Sequence, residues 1–321
     1  MVGGVTLSED LTDTEWLCEL EEIGRDRGYF APLGDDHSVI FVDGDASVLF
    51  VSFETRGGIR SFNGNGLPLG FGLPETHGWS HLSLVATGDT WFRSRHVWSH
   101  FDRLVDEGFF EEFDRVIFYG AGMCGYAAAA YSVAAPGATV LVISPQATLD
   151  PGLTEWDDRF PHMRRTDFTR RYGYAPDMIE AAERAFVVYD PGEELDAMHA
   201  TLFVRPNVDR IRYRRGGAGS IDADLRAMGV FRTAVEAAAD GTLTRMTFLR
   251  ALRERRAHLP YLRALLSRVQ AEGRPYLTVL LCRAVLKVHR TPRFRHFLEE
   301  AAHELQAQGR RVPGGDIIPS A

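Results

Sequence analysis

Residues 115–151 read RVIFYGAGMCGYAAAAYSVAAPGATVLVISPQATLDP, and their interpretation decides the fold. Val116, Ile117, Phe118 and Tyr119 form a β-branched and aromatic run that stops at Gly120, the pattern of a buried strand. The alanine-rich residues 122–135 have the composition of a tightly packed helix, ended by Pro136-Gly137. Residues 139–143, TVLVI, repeat the buried-strand pattern. A strand–turn–helix–strand unit of this kind builds a parallel sheet whose ligand sites lie at strand C-terminal ends. Its turn, Gly120-Ala121-Gly122-Met123-Cys124-Gly125, fits two chemistries.

Gly120, Gly122 and Gly125 spell the dinucleotide fingerprint G-x-G-x-x-G, in which glycines let the backbone approach a pyrophosphate at a helix N-terminus. That fingerprint expects a ribose-binding acid roughly 20 residues on. The chain has Ile143-Ser144-Pro145-Gln146 there, with no acid and no nearby arginine for a 2′-phosphate. The motif also follows more than a hundred residues that carry strands of their own, whereas the fingerprint usually opens its domain. No bound NAD, flavin or other cofactor is expected.

The other chemistry is that of the sharp strand-to-helix turn G-x-S-x-G, which presents a catalytic nucleophile. Here the chain resembles a bacterial α/β-hydrolase-like family whose elbow runs Y-G-A-S-M-G-G-Y/F and whose next strand ends in P-Q-x-T-L-D-P. The corresponding residues are Tyr119-Gly120-Ala121-Gly122-Met123-Cys124-Gly125-Tyr126 and Pro145-Gln146-Ala147-Thr148-Leu149-Asp150-Pro151. The resemblance implies a three-layer α/β fold, an α/β-hydrolase-type mostly parallel sheet. It puts Gly122 at the nucleophile position and the Met123 N–H at the oxyanion hole, with Gly120 and Gly125 shaping the elbow. Cys124, in place of a family glycine, is an alternative nucleophile.

The family's Y-D-P places the triad acid at Asp190, and its D-x-x-H helix is matched by Asp196 and His199. Its G-H motif, just before an L-R-x-x-G-V/L helix, supplies the triad histidine. This chain reads Gly216-Gly217-Ala218-Gly219-Ser220 and then Leu225-Arg226-Ala227-Met228-Gly229-Val230, so Gly217, Gly219 and Ser220 mark a degenerate histidine loop. No histidine occurs between His199 and His258. Acyl transfer needs a nucleophile and a base to deprotonate it. Two of three triad positions lack the required side chain, which points to a binding or scaffold module. A hydrolase or acyltransferase using Cys124 on esters or thioesters, and a dinucleotide-binding protein, stay open as alternatives.

A chain of 321 residues with 45% hydrophobic and 25% charged content has the make-up of an ordinary globular protein, long enough for one large domain or two. No apolar run approaches the roughly 20 residues of a membrane span and no basic-then-apolar leader opens the sequence. Cys18, Cys124 and Cys282 are isolated, forming neither a disulfide framework nor a metal pattern, so a reducing cytoplasm is expected. Charge is uneven: residues 1–244 carry 21 Arg against 38 Asp and Glu, whereas 245–311 carry 15 Lys and Arg against 5 Glu. The basic part is expected to be a solvated helical surface, to dock on the acidic domain, or to meet an acidic partner. It shows no aromatic-basic interleaving, so nucleic acid is not expected as a partner.

Residues 14–27 read as a helix closed by Gly28, and 39–42 and 48–53 as strands of a hairpin around Asp43-Gly44-Asp45. Residues 57–78, rich in Gly, Asn and Pro, read as a long loop over a site. His96 and His100 are four apart, as zinc pairs are, but the glutamate of H-E-x-x-H is missing and no metal is expected. The resulting plan is an N-terminal helical segment (1–35), an α/β-hydrolase-like domain (36–235) with a cap segment about 151–184, a helical-hairpin domain similar to tetratricopeptide repeats (236–311), and a frayed tail (312–321).

Overall fold

The computed structural model describes residues 6–8, 10–214 and 220–315. Helix α1 (Asp13–Arg27) begins at Thr12, whose side chain accepts the Glu15 N–H while Glu15 reaches back to the Thr12 N–H. This reciprocal cap satisfies two of the donors that every helix start leaves open. Its apolar stripe, Trp16 and Leu20, is buried against one sheet face together with Ile40, Val42, Ile59 and Phe71.

The strands are β1 (Gly28–Pro32), β2 (His37–Val42), β3 (Ala46–Thr55), β4 (Trp79–Ala86), β5 (Arg115–Ala121), β6 (Thr139–Ile143), β7 (Arg184–Tyr189) and β8 (Val208–Arg212). They form one sheet in the order β1-β2-β4-β3-β5-β6-β7-β8. β2 runs antiparallel to β1 and β4, and every pair from β4 to β8 is parallel. Helices α2 (Arg56–Phe62) and α3 (Leu73–His77) follow β3, and α4 (Arg95–Asp106) follows β4. Next come α5 (Met123–Tyr131), α6 (Pro151–Thr154), α7 (Ala175–Met178) and α8 (Glu194–Leu202). The order, the single antiparallel interior strand and helices on both faces define an α/β-hydrolase-type fold.

Two expectations need correction. The Asp43-Gly44-Asp45 turn closes no hairpin, because β4 lies between β2 and β3. Leu49, Phe50, Val51, Ser52 and Phe53 are all buried, so β3 is a central strand covered on both faces, which suits parallel neighbours. Residues 57–78 are not one loop, since they contain most of α2 and all of α3. Thr55 caps α2 by accepting the Gly58 N–H, and Pro74 sits in the first turn of α3, two start signals hidden in a glycine-rich composition.

The chain divides into two compact units, Met1–Arg214 with Thr233–Thr247, and Arg215–Arg232 with Phe248–Ala321. Further helices are α9 (Ile221–Ala227), α10 (Val230–Ala239), α11 (Arg245–Ala251), α12 (Leu259–Ala271), α13 (Pro275–Leu286) and α14 (Pro292–Ala307). The second unit buries Leu262 and Leu266 of α12, Val279, Cys282 and Val285 of α13, and Phe294, Leu298 and Leu305 of α14 in its own core. Among the described residues, no helix is long and apolar enough to cross a membrane.

Candidate functional site

Strand order reverses at β3, which has β4 on one side and β5 on the other. In open parallel sheets the crevice outside the strand C-termini at such a reversal is where ligands bind. Two segments lead into it, Thr55-Arg56-Gly57-Gly58 beyond β3 and the Gly120–Gly125 turn beyond β5.

The β5 turn is a sharp strand-to-helix turn. Gly122 has φ 57° and ψ −125°, its N–H donates to the Ile143 carbonyl of β6 (2.8 Å), and its own carbonyl accepts the Tyr126 N–H at 3.0 Å. A Cβ at Gly120 would lie 2.1 Å from the Cys124 carbonyl oxygen, so helix and strand pack through that glycine. Among the described residues, a Cβ at Gly122 would meet nothing within 4 Å. The position that carries the nucleophile in a working elbow is therefore open and empty of side chain. Met123 is the first residue of α5, where an N–H has no intrahelical acceptor. Its sulfur accepts the Thr90 N–H at 3.2 Å. Cys124 and Gly125 are buried, Cys124 within the core cluster that holds Tyr126, Tyr131 and Phe101.

Asp190 follows β7, is buried, and accepts the Gly192 N–H at 2.8 Å. Gly217 and Gly219 lie outside the described residues, and Ser220 is the residue before α9. The structure thus places Gly122, Met123 and Asp190 at C-terminal ends of strands in one sheet, while Cys124 turns into the core.

The histidines of the first unit have other duties. His199 is fully buried: its Nδ1 accepts the Ala147 N–H (3.1 Å), so its Nε2 carries the proton donated to Asp157 at 2.8 Å. Arg159 joins Asp157 and Asp196 in the same cluster. Burial alone would raise the Asp157 pKa, but the bonds from His199 and Arg159 outweigh it and hold the carboxyl well below its usual range. Asp196 and His199 are therefore structural, fastening Asp157 and Arg159 to α8 and to the loop after β6. Arg93 fastens the cap elsewhere, donating to the Asp167 and Arg171 carbonyls and lying over Trp98. His162 of the cap stands 3.9 Å from Asp89, on the loop whose Thr90 touches Met123. No sequence signal pointed to that pair. His96 lies against Gly34, His77 stacks on Trp79, and the His100 Nδ1 accepts from Arg103. Among the described residues, no group of three or more His, Cys, Asp or Glu could hold a metal ion.

On the opposite face of β3, Ser52 donates to Glu54 (2.8 Å) and meets His81 Nε2 at 2.9 Å. Glu54 also accepts the Leu69 N–H at 3.0 Å and Asn63 Nδ2 at 3.4 Å. This half-buried carboxylate ties residues 63–69 to the strand that delivers Arg56.

No family profile matches the chain, and no curated protein matches it. Solved structures do. The esterase domain of a Rhodothermus marinus protein is 12% identical, with a TM-score of 0.39 over 64% of this chain and 93% of that one. The fluorophosphonate-binding serine hydrolase FphF of Staphylococcus aureus is 10% identical, with a TM-score of 0.44 over 66% of this chain and 99% of the other. The Glycosylation Associate Protein (Gap123) complex of Streptococcus agalactiae is 13% identical with a TM-score of 0.44, and the match spans 64% of this chain but 45% of that one. The chain has an α/β-hydrolase-type fold, defined by its own strand order.

Proposed function

We propose that this protein is a hydrolase-fold binding or scaffold module that has lost Ser-His catalysis. The observation that carries this reading is Gly122: the elbow backbone is kept, the space above it is open, and no nucleophile stands there. Asp190 keeps the acid position, which in a catalytic triad acts only through a histidine, orienting it and stabilising its imidazolium. The loop that carries this histidine in the resembling family has none, and His199 is committed to Asp157. Cys124 is packed in the core, where a thiol behaves as a small apolar group. The Met123 N–H can still bind a carbonyl or carboxylate oxygen of a ligand held in the crevice.

The test compares wild type, Cys124→Ala, Gly122→Ser and Gly122→Ser with His162→Ala on p-nitrophenyl acetate and butyrate. None is expected to exceed the buffer rate. Wild-type turnover that disappears in Cys124→Ala would show a thiol enzyme. Turnover gained in Gly122→Ser and lost on removing His162 would show an intact base. Either result would overturn the proposal.

A further inference from the structure

At the C-terminal ends of β3 and β4 the first unit holds a cavity of about 650 Å³. Arg56 and Gly57 line it from the end of β3, Thr87 from the end of β4, Arg60 and Ser61 from α2, and Asp13 from the first turn of α1. Its size is that of a small-molecule site. Its lining is polar, with hydroxyl and amide groups beside two guanidinium groups.

The two arginines converge on one carboxylate. Arg56 Nη2 lies 2.9 Å from Asp13 Oδ2, and Arg60 Nη1 lies 2.5 Å from Asp13 Oδ1. Each oxygen of Asp13 thus takes its own guanidinium, which is how a pair of arginines grips a bidentate anion. The arginine side chains are 23% and 24% exposed, whereas Asp13 is 52% exposed. A half-exposed carboxylate contributes little to such a bridge and is displaced at small cost. Arg60 also donates from Nη2 to the Leu11 carbonyl, which holds its guanidinium plane at the cavity wall.

We infer that Arg56 and Arg60 form an anion clamp for a small phosphate monoester, with Asp13 as the chain's own competing carboxylate. Tetrahedral oxygens of the phosphate accept from both guanidinium groups. The polar remainder of the cavity, with Ser8, Ser61, Asn63 and Thr87, receives a hydroxyl-bearing ester group. The ligand would lie beyond the ends of β3 and β4, at the strand-order reversal. This inference rests on the reading that the crevice binds without turnover. The two tests fail separately: thiol turnover leaves the clamp in place, and a missing phosphate site leaves the glycine elbow in place.

Titration calorimetry of the full chain at constant ionic strength tests it, with inorganic phosphate, glucose 6-phosphate and glucose as probes. Phosphate should bind wild type, glucose 6-phosphate more tightly, and glucose not at all. Arg56→Gln with Arg60→Gln should weaken phosphate about tenfold or more, as loss of charge-assisted hydrogen bonds does. Asp13→Asn should tighten phosphate several-fold, a gain that misfolding cannot imitate. Absence of phosphate binding in both wild type and Asp13→Asn overturns the inference, as does unchanged affinity in the arginine variant. Glucose 6-phosphate binding no tighter than phosphate overturns the ester assignment.

Discussion

A serine at position 122 meets two opposing conditions, open space around its Cβ and a backbone with φ 57° and ψ −125°. The first makes the substitution sterically free. The second is a sparsely populated conformation for any residue with a Cβ, at a cost of about 1–3 kcal/mol. Working elbows bear that strain because it aims the nucleophile, whereas glycine relieves it. Gly122→Ser is therefore expected to fold and to lose about 1–3 kcal/mol of stability, read by urea denaturation with an unchanged slope. A neutral or stabilising effect would mean that the turn relaxes away from elbow geometry in solution. Gly120→Ser differs, because its Cβ would collide with backbone at 2.1 Å, and this glycine keeps the helix against the strand.

At the scale of elements, Glu54 couples β3 to the segment that precedes α3. It accepts from Ser52, Leu69 and Asn63 within one half-buried network. Glu54→Gln exchanges an acceptor-only carboxylate for an amide that must place an NH2 group among donors. Bonds to a charged acceptor are worth about 1.5–3 kcal/mol each, so a destabilisation of at least that size is expected. Hydrogen exchange of the Leu69 amide should accelerate beyond the global change, and an unaffected Leu69 would show that the carboxylate does not hold this segment. The unit from β5 to β6 was legible because buried strands and an alanine-rich helix have composition and period in common with few alternatives. Pairing partners were less so. The neighbour of β2 is set by β4, reached after intervening helices, and local turn chemistry at Asp43-Gly44-Asp45 carries no record of it. Of the candidate site, Gly122 and Asp190 were legible only through the resemblance to the family's elbow and Y-D-P motifs. Asp13, Arg56 and Arg60 were not, because their convergence depends on α1 bringing its first turn to the C-terminal edge of the sheet.

At the scale of the molecule, the buried histidines make stability depend on pH. Burial pushes His81 down to about 3 and, helped by the repulsion of Arg103, His100 down to about 4. Burial also takes His37 down to about 4, against the pull of Asp36 and aided by His96. All three fall below the unfolded value of 6.5. Between pH 6.5 and about 4 the unfolded chain therefore binds more protons than the folded one, and stability declines as pH falls through that window. Each histidine contributes up to about 1.4 kcal/mol per pH unit, so three together remove a large part of an ordinary domain's stability of about 5–15 kcal/mol. The depressed carboxyl of Asp157 adds its loss only below the unfolded carboxylate range, after the histidines have acted. The window includes the isoelectric point near 5.8, where net charge vanishes and association competes, so dilute protein in moderate urea is the condition to use. Under it the unfolding free energy of the first unit should drop steeply from pH 7 to 5. In His100→Asn the slope should be shallower by up to about 1.4 kcal/mol per unit. A flat profile over that range, or one unchanged by His100→Asn, would show that these rings are hydrated or protonated in the folded chain.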